Sequence, residues 1–178
     1  KNLEIEKKDI MELPHKNEFD YVICSGVIHH TKDPQESLSK LVEATKDDGA
    51  LSIMVYASYL RLGVYYFQDA FRYLGLKSNK EGIEIAKKLI ELTSKKHYAN
   101  NYIEAITKSF GTKDLSFDAG FVDTFFNARD VSFDIFDLKE LISNAGAYFQ
   151  CWCDNSLYYR ELFNFSGVEN LNKIFNNL

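Results

Sequence analysis

Along the chain the spacing of apolar positions changes period several times, and each change predicts an element. "LEIEK", residues 3–7, alternates apolar and charged side chains with period two and predicts a short strand. "FDYVICSG", residues 19–26, is an almost continuous apolar run, the pattern of a strand covered on both faces in a parallel sheet. Three helix-start signals follow together: Asp33 as N-cap, Pro34 at the first helical position and Glu36 closing a capping box. Leu38, Leu41 and Val42 then supply an apolar helix face. "KDDG" is expected to end that helix with Gly49 in a left-handed conformation, and "ALSIMVYA" to be a second buried strand. Strand, helix and strand joined by tight connections make a βαβ unit, for which the right-handed crossover is the rule.

From about residue 57 to 130 the pattern is helical and aromatic. "YLRLGVYYFQDAFRYLG" is followed by "EGIEIAKKLIELTSKKH", in which Ile83, Ala86 and Ile90 recur at helical spacing. A polar connection after Gly111 leads to "DAGFVDTFFNARD". From residue 131 the α/β pattern returns. Asp137 and Glu140 are expected to form a second capping box, Leu138, Leu141, Ile142 and Ala145 a buried stripe, Gly146 a stop, and "AYFQCWC" a strand. The predicted fold is therefore α/β: a sheet region over 1–56, a helical insertion over 57–130, and a return to the sheet over 131–178.

Composition narrows the picture a little. The 178 residues are 46% hydrophobic, as expected for a packed domain, and no apolar run is long enough to span a bilayer. "KNLEIEKKDI" contains no signal-like apolar stretch, so the reading is cytoplasmic. Cys24, Cys151 and Cys153 suggest neither a disulfide framework nor a zinc site, and the latter two would share one strand face as buried thiols. A net charge of −5 argues against nucleic acid as the main partner, because phosphate neutralisation wants a basic face. The oligomeric state stays open.

Candidate chemistry concentrates in "CSGVIHHTKDP", residues 24–34. Ligands of open α/β sheets sit beyond the carboxyl ends of the strands, and small residues there let a ligand approach the backbone. On local grounds "CSG" reads equally as a plain strand-to-loop junction, and Asp9 as a turn cap. His29 and His30 are either packing and loop-capping residues or proton-transfer groups; no carboxylate or thiol stands at ligand spacing, so no metal is expected. The aromatic run Tyr65, Tyr66, Phe67, Phe71, Tyr73 reads as core before it reads as a substrate box. Asp123, Asn127, Arg129 and Asp130, polar groups among aromatics, suit either an acceptor-orienting pocket or an ion-paired loop anchor.

Taken in order, the run "DIMELPHKNEFDYVICSGVIHHTKDPQESLSKLVEATKDDGALSIMVY" resembles the second half of a class I S-adenosylmethionine-dependent methyltransferase domain. The likeness is to the small-molecule group typified by the ubiquinone and menaquinone enzymes, and it extends more weakly to "LKELISNAGAYFQCW". It implies a partial Rossmann-like sheet with the insertion as a lid, S-adenosyl-L-methionine as cofactor and a small, apolar or aromatic acceptor. Asp9 would bond the adenine amino group, with Ile10 covering the ring. Cys24, Ser25, Gly26 and Val27 would border the methionine part. His29 and His30 would face the acceptor, and Asp123, Asn127, Arg129 and Asp130 would orient it. One feature departs from the family: the Gly-rich turn is absent, no two glycines being closer than Gly75 and Gly82. The likeness thus implies the carboxyl-terminal portion of a longer enzyme, starting at the third strand, with an open edge on the "YVICS" strand. Two other classes remain: a methyltransferase-like binding module without catalysis, or a fragment that binds no cofactor alone, and a nucleotide-dependent enzyme of Rossmann type, which "CSGVIHHTKDP" fits poorly.

Overall fold

The computed structural model describes residues 3–153 apart from 102 and 105–113. It divides into two compact units, Lys1–Ala147 and Tyr148–Leu178. Within the first, strand β1 (Phe19–Ser25) pairs in parallel with strand β2 (Thr45–Met54). Helix α1 (Pro34–Ala44) connects them, so the βαβ unit read from the sequence is present. Asp33 caps α1 by accepting the Glu36 N–H at 2.9 Å, and Pro34 occupies the first turn, where a missing N–H costs nothing.

Helix α1 ends at Ala44, but not by a left-handed glycine. Thr45 is already extended, β2 runs straight through "KDDG", and positive φ occurs at Gly26, Gly75 and Gly146 instead. Gly49 has a different task. The pairing shifts register between Phe19 and Tyr21, and a Cβ on Gly49 would meet the Thr45 Cγ2 at 2.9 Å and the Asp20 and Lys46 carbonyl oxygens at 3.0 Å. The close approach of one side-chain methyl and two backbone carbonyl oxygens leaves no easy room for a Cβ, so the position favours glycine.

The side chains of the sheet divide by face. Val22 and Cys24 on β1, with Leu51 and Ile53 on β2, join Ile28, Leu38, Leu41 and Leu141 in one core. On the other face Tyr21, Ile23 and Met54 are exposed. "LEIEK" forms no strand: residues 3–8 are irregular, with Leu3 and Ile5 exposed. Alternation alone holds no strand without a neighbour for its backbone groups.

After β2 come helix α2 (Leu62–Tyr73), helix α3 (Lys80–Leu92), further helical residues at 98–101, and helix α4 (Asp118–Phe125). Val64, Phe67, Phe71, Ile83, Ala86, Phe121 and Phe125 form a second core, separate from the first. Within the aromatic run Phe67 and Phe71 are core, whereas Tyr66 and Tyr73 are exposed. Helix α5 (Ile135–Asn144) returns to the sheet side, with Leu138, Leu141, Ile142 and Ala145 packed on the first core and Gly146 at φ +79° behind it. Its capping box is Asp134 with Asp137, three positions earlier than the Asp137–Glu140 pair expected, because Asp134 is the residue still extended when the helix begins. "AYFQCWC" forms no strand: it is irregular, Cys151 and Cys153 are exposed, and Phe149 packs on Trp152. No helix among the described residues is long and apolar enough to cross a membrane.

Candidate functional site

Polar and aromatic side chains gather beyond the carboxyl ends of β1 and β2. At the end of β1 the chain turns through Gly26, at φ +72°, whose N–H is held by the Met54 carbonyl at 3.1 Å. A side chain is strained at that φ, so glycine is needed where the strand must break sharply. Val27 and Ser25 are exposed there. A short 3-10 turn, Ile28–His30, follows and points its first two side chains inward: Ile28 and His29 are both fully buried.

His29 lies with its ring centroid 3.8 Å from that of Tyr56, just beyond β2, and 4.2 Å from that of His30. The Arg61 guanidinium stands 3.7 Å over the same Tyr56 ring. Two planar groups cannot occupy one face at such distances, so His29 and Arg61 sandwich Tyr56. Arg61, at 8% side-chain exposure, meets the Asp130 carboxylate at 2.5 Å. Asp130 also accepts from the Tyr65 hydroxyl at 3.2 Å and the Gln68 amide at 3.0 Å. Gln68 donates in addition to the Thr124 carbonyl and accepts from Arg72. A buried carboxylate is tolerable in this setting, because a cation and two neutral donors replace its water.

The segment 129–133 ties this cluster to the sheet. His30 Nδ1 lies 2.7 Å from the Arg129 carbonyl, the Val131 N–H donates to the His29 carbonyl, and Phe133 bridges in parallel to Ala57. Burial has consequences for titration. Desolvation, followed by the nearby charge of His30, holds His29 down at about 4, so it is neutral at physiological pH. Burial pushes the Tyr56 and Tyr65 hydroxyls up, with Arg61 partly opposing, and raises the Cys24 thiol, which suits an inert core cysteine.

The candidate residues are not all gathered in one place. His29, His30 and Asp130 meet around Tyr56. Asp130 serves the ion-paired anchor rather than an open pocket, and Asn127 bonds locally, from its amide to Asp123 and from its carbonyl oxygen to the Arg129 N–H. Arg129 and Asp123 are exposed. Asp9 caps a 3-10 turn, Ile10–Glu12, by accepting the Met11 N–H at 3.0 Å. That turn lies by the start of α1, since Met11 Sδ is 3.5 Å from the Ser37 hydroxyl, and Ile10 packs on the first core. Cys24 is buried with that core, so any contribution it makes to a ligand is through backbone. Among the described residues no group of three acidic, histidine or cysteine side chains is placed to hold a metal.

Tyr56, Arg61 and Gln68 were not among the residues singled out by sequence, and Tyr65 was named only in the aromatic run read as core before substrate box. A signal exists for three of them. Arg61, Tyr65 and Gln68 recur four and three apart on the buried side of an aromatic helix, where polar residues stand out.

The parallel βαβ unit with helices after it makes the described part of the chain a mixed α/β structure with a small parallel sheet. Comparison with known proteins sharpens this. Residues 1–51 match the family model described as a methyltransferase domain, which supports such a domain in the amino-terminal part of the chain. The chain is also 26% identical over 149 residues to an uncharacterized protein of Synechococcus sp., across 82% of this chain and 34% of that protein. It thus spans about a third of the length of that curated relative.

Proposed function

We propose that this chain is part of an S-adenosylmethionine-dependent methyltransferase acting on a small apolar or aromatic acceptor, with the helices after β2 as the lid of the acceptor site. The supporting observation is a coincidence of place. The methyltransferase-domain match covers Asp9, β1 and the His29–His30 turn; that turn follows the carboxyl end of β1, and the turn capped by Asp9 lies by the first turn of α1, which starts at Pro34. The donor set suits the cofactor: Asp9 is an exposed carboxylate able to accept from an amino group, while Ser25, Gly26 and Val27 offer backbone at an open strand end. When bound, that cofactor supplies an electrophilic methyl group on a sulfonium. The chain's own part is alignment, and a proton acceptor if the nucleophile carries a proton. His29 and His30 are the candidates for that second part.

Calorimetric titration of S-adenosylhomocysteine into the full-length gene product, alongside this 178-residue chain, tests the reading. Micromolar binding by the full-length product supports it, and affinity in this chain alone would locate the site wholly within it. Asp9→Ala should weaken binding about tenfold, the worth of one hydrogen bond to a charged group. Absence of binding by the full-length product ends the proposal.

A further inference from the structure

Of the chain's three thiols, two stand apart from any core. Cys24 is buried on β1 among Ile28, Leu38 and Leu141, and burial pushes its thiol up, which keeps it from reacting. Cys151 and Cys153 are exposed, in backbone that belongs to neither helix nor strand. Their setting is the opposite of the apolar burial that makes a cysteine inert. The proposed methyl transfer makes no use of them.

Spacing sets what two such thiols can do together. Consecutive Cα atoms lie about 3.8 Å apart, so residues i and i+2 are never much more than about 7 Å from one another. A disulfide spans about 4.4–6.8 Å between Cα atoms. Cys151 and Cys153 therefore reach bonding separation through a modest bend at Trp152, in a segment where no helix or strand has to break. Once one of them has reacted, the other attacks as a neighbour in the same chain, which outpaces any thiol arriving from solution. The short span also keeps the ring tight, and a tight, exposed disulfide is readily reduced.

We infer that Cys151 and Cys153 form a reversible dithiol–disulfide site that takes small disulfides of the glutathione type as its oxidant. In the first step the thiolate of one cysteine attacks a sulfur of the external disulfide. That S–S bond breaks, a mixed disulfide forms and one small thiolate leaves. The second cysteine's thiolate then attacks the protein sulfur of the mixed disulfide and expels the other small thiolate. The two protein thiols lose two electrons, the external disulfide gains them as two small thiols, and the two protein protons pass through water to the leaving groups. Excess small thiol runs the same steps backward. Trp152, the chain's single tryptophan, stands between the two cysteines and packs on Phe149 with ring centroids 4.7 Å apart. Closing the ring bends the backbone at Trp152 and so disturbs that contact. The inference stands independently of the methyltransferase reading.

The test equilibrates the intact protein, without oxygen, with mixtures of oxidised and reduced glutathione at about pH 8, where thiolate is plentiful. Acid quench, unfolding, alkylation and peptide mass then identify the state of each cysteine. Of this chain's three thiols only Cys24 is expected to remain open to alkylation, with Cys151 and Cys153 in one peptide that has lost two hydrogen atoms. Dithiothreitol should restore both thiols. The emission of Trp152 should shift with the oxidised fraction and return on reduction. Cys151→Ser and Cys153→Ser should each stop at a glutathione adduct on the exposed cysteine that is left. Stable glutathione adducts on both cysteines of the wild type would overturn the inference, because the second thiol then fails to resolve the first. A disulfide that joins two chains or uses Cys24 would overturn it as well, and so would three intact thiols at every glutathione ratio.

Discussion

Arg61 and Asp130, 69 residues apart, meet as an ion pair at 2.5 Å with side-chain exposures of 8% and 4%. The pair fastens the start of α2 to the segment that crosses the strand ends. Such a pair adds little relative to an apolar one, but its halves cannot be separated cheaply.

Asp130→Asn should therefore destabilise the protein by about 3–5 kcal/mol, because Arg61 is left charged, buried and unpaired. Replacing both, as Arg61→Met with Asp130→Leu, should recover most of that loss. Urea denaturation of the two variants measures the difference, and equal losses would contradict the argument.

Acid should act through His29. Its native pKa of about 4 lies below the unfolded value near 6.5. The unfolded chain thus binds more protons between those values, and stability contributed by neutral His29 is complete above pH 6.5 and lost as pH falls toward 4. The full effect is roughly 3 kcal/mol. Unfolding free energies at a series of pH values should show this slope in the wild type, and a flatter one in His29→Phe, which keeps a ring against Tyr56.

Gly49→Ala is expected to cost about 1–3 kcal/mol, the usual penalty for forcing atoms into a filled space. Thr45→Ser in the same chain should relieve only part, since it removes the Cγ2 contact and leaves the Asp20 and Lys46 carbonyl oxygens at 3.0 Å. Thermal unfolding of the single and double variants distinguishes this from a left-handed helix stop, for which Thr45 would be irrelevant.

Asp33→Ala should lose about 1 kcal/mol by freeing the Glu36 N–H, and Asp33→Asn almost nothing, because its amide oxygen still accepts. Chemical denaturation at neutral pH compares them.

Local signals carried the elements that depend on neighbours in sequence. The Asp33-Pro34 helix start, the strand β1 itself, the stripe of α5 and its glycine stop were all legible, because capping and periodicity are set within a few residues. The expected cover on both faces of β1 was not, since Tyr21 and Ile23 are exposed and of this strand only Cys24 is buried. Boundaries were less so. "LEIEK" and "AYFQCWC" have strand-like patterns and form no strand, since a strand exists only where a partner accepts its backbone bonds. Gly49 was read as a helix stop because its need arises from Asp20, which lies 29 positions away along the chain and close only in the folded sheet.

The same division runs through the site. Sequence alone determined which residue types stand at the strand end, from Cys24 to His30, and placed an aromatic helical stretch after β2. Only the tertiary structure decided that Tyr56 lies between His29 and Arg61, that Asp130 is consumed by an ion pair, and that His30 Nδ1 is turned to a carbonyl 99 residues later. The reason is physical. Propensity and capping act over one or two turns of chain, whereas burial, ring stacking and the tautomer of a histidine are fixed by whatever distant atoms the fold brings within about 4 Å.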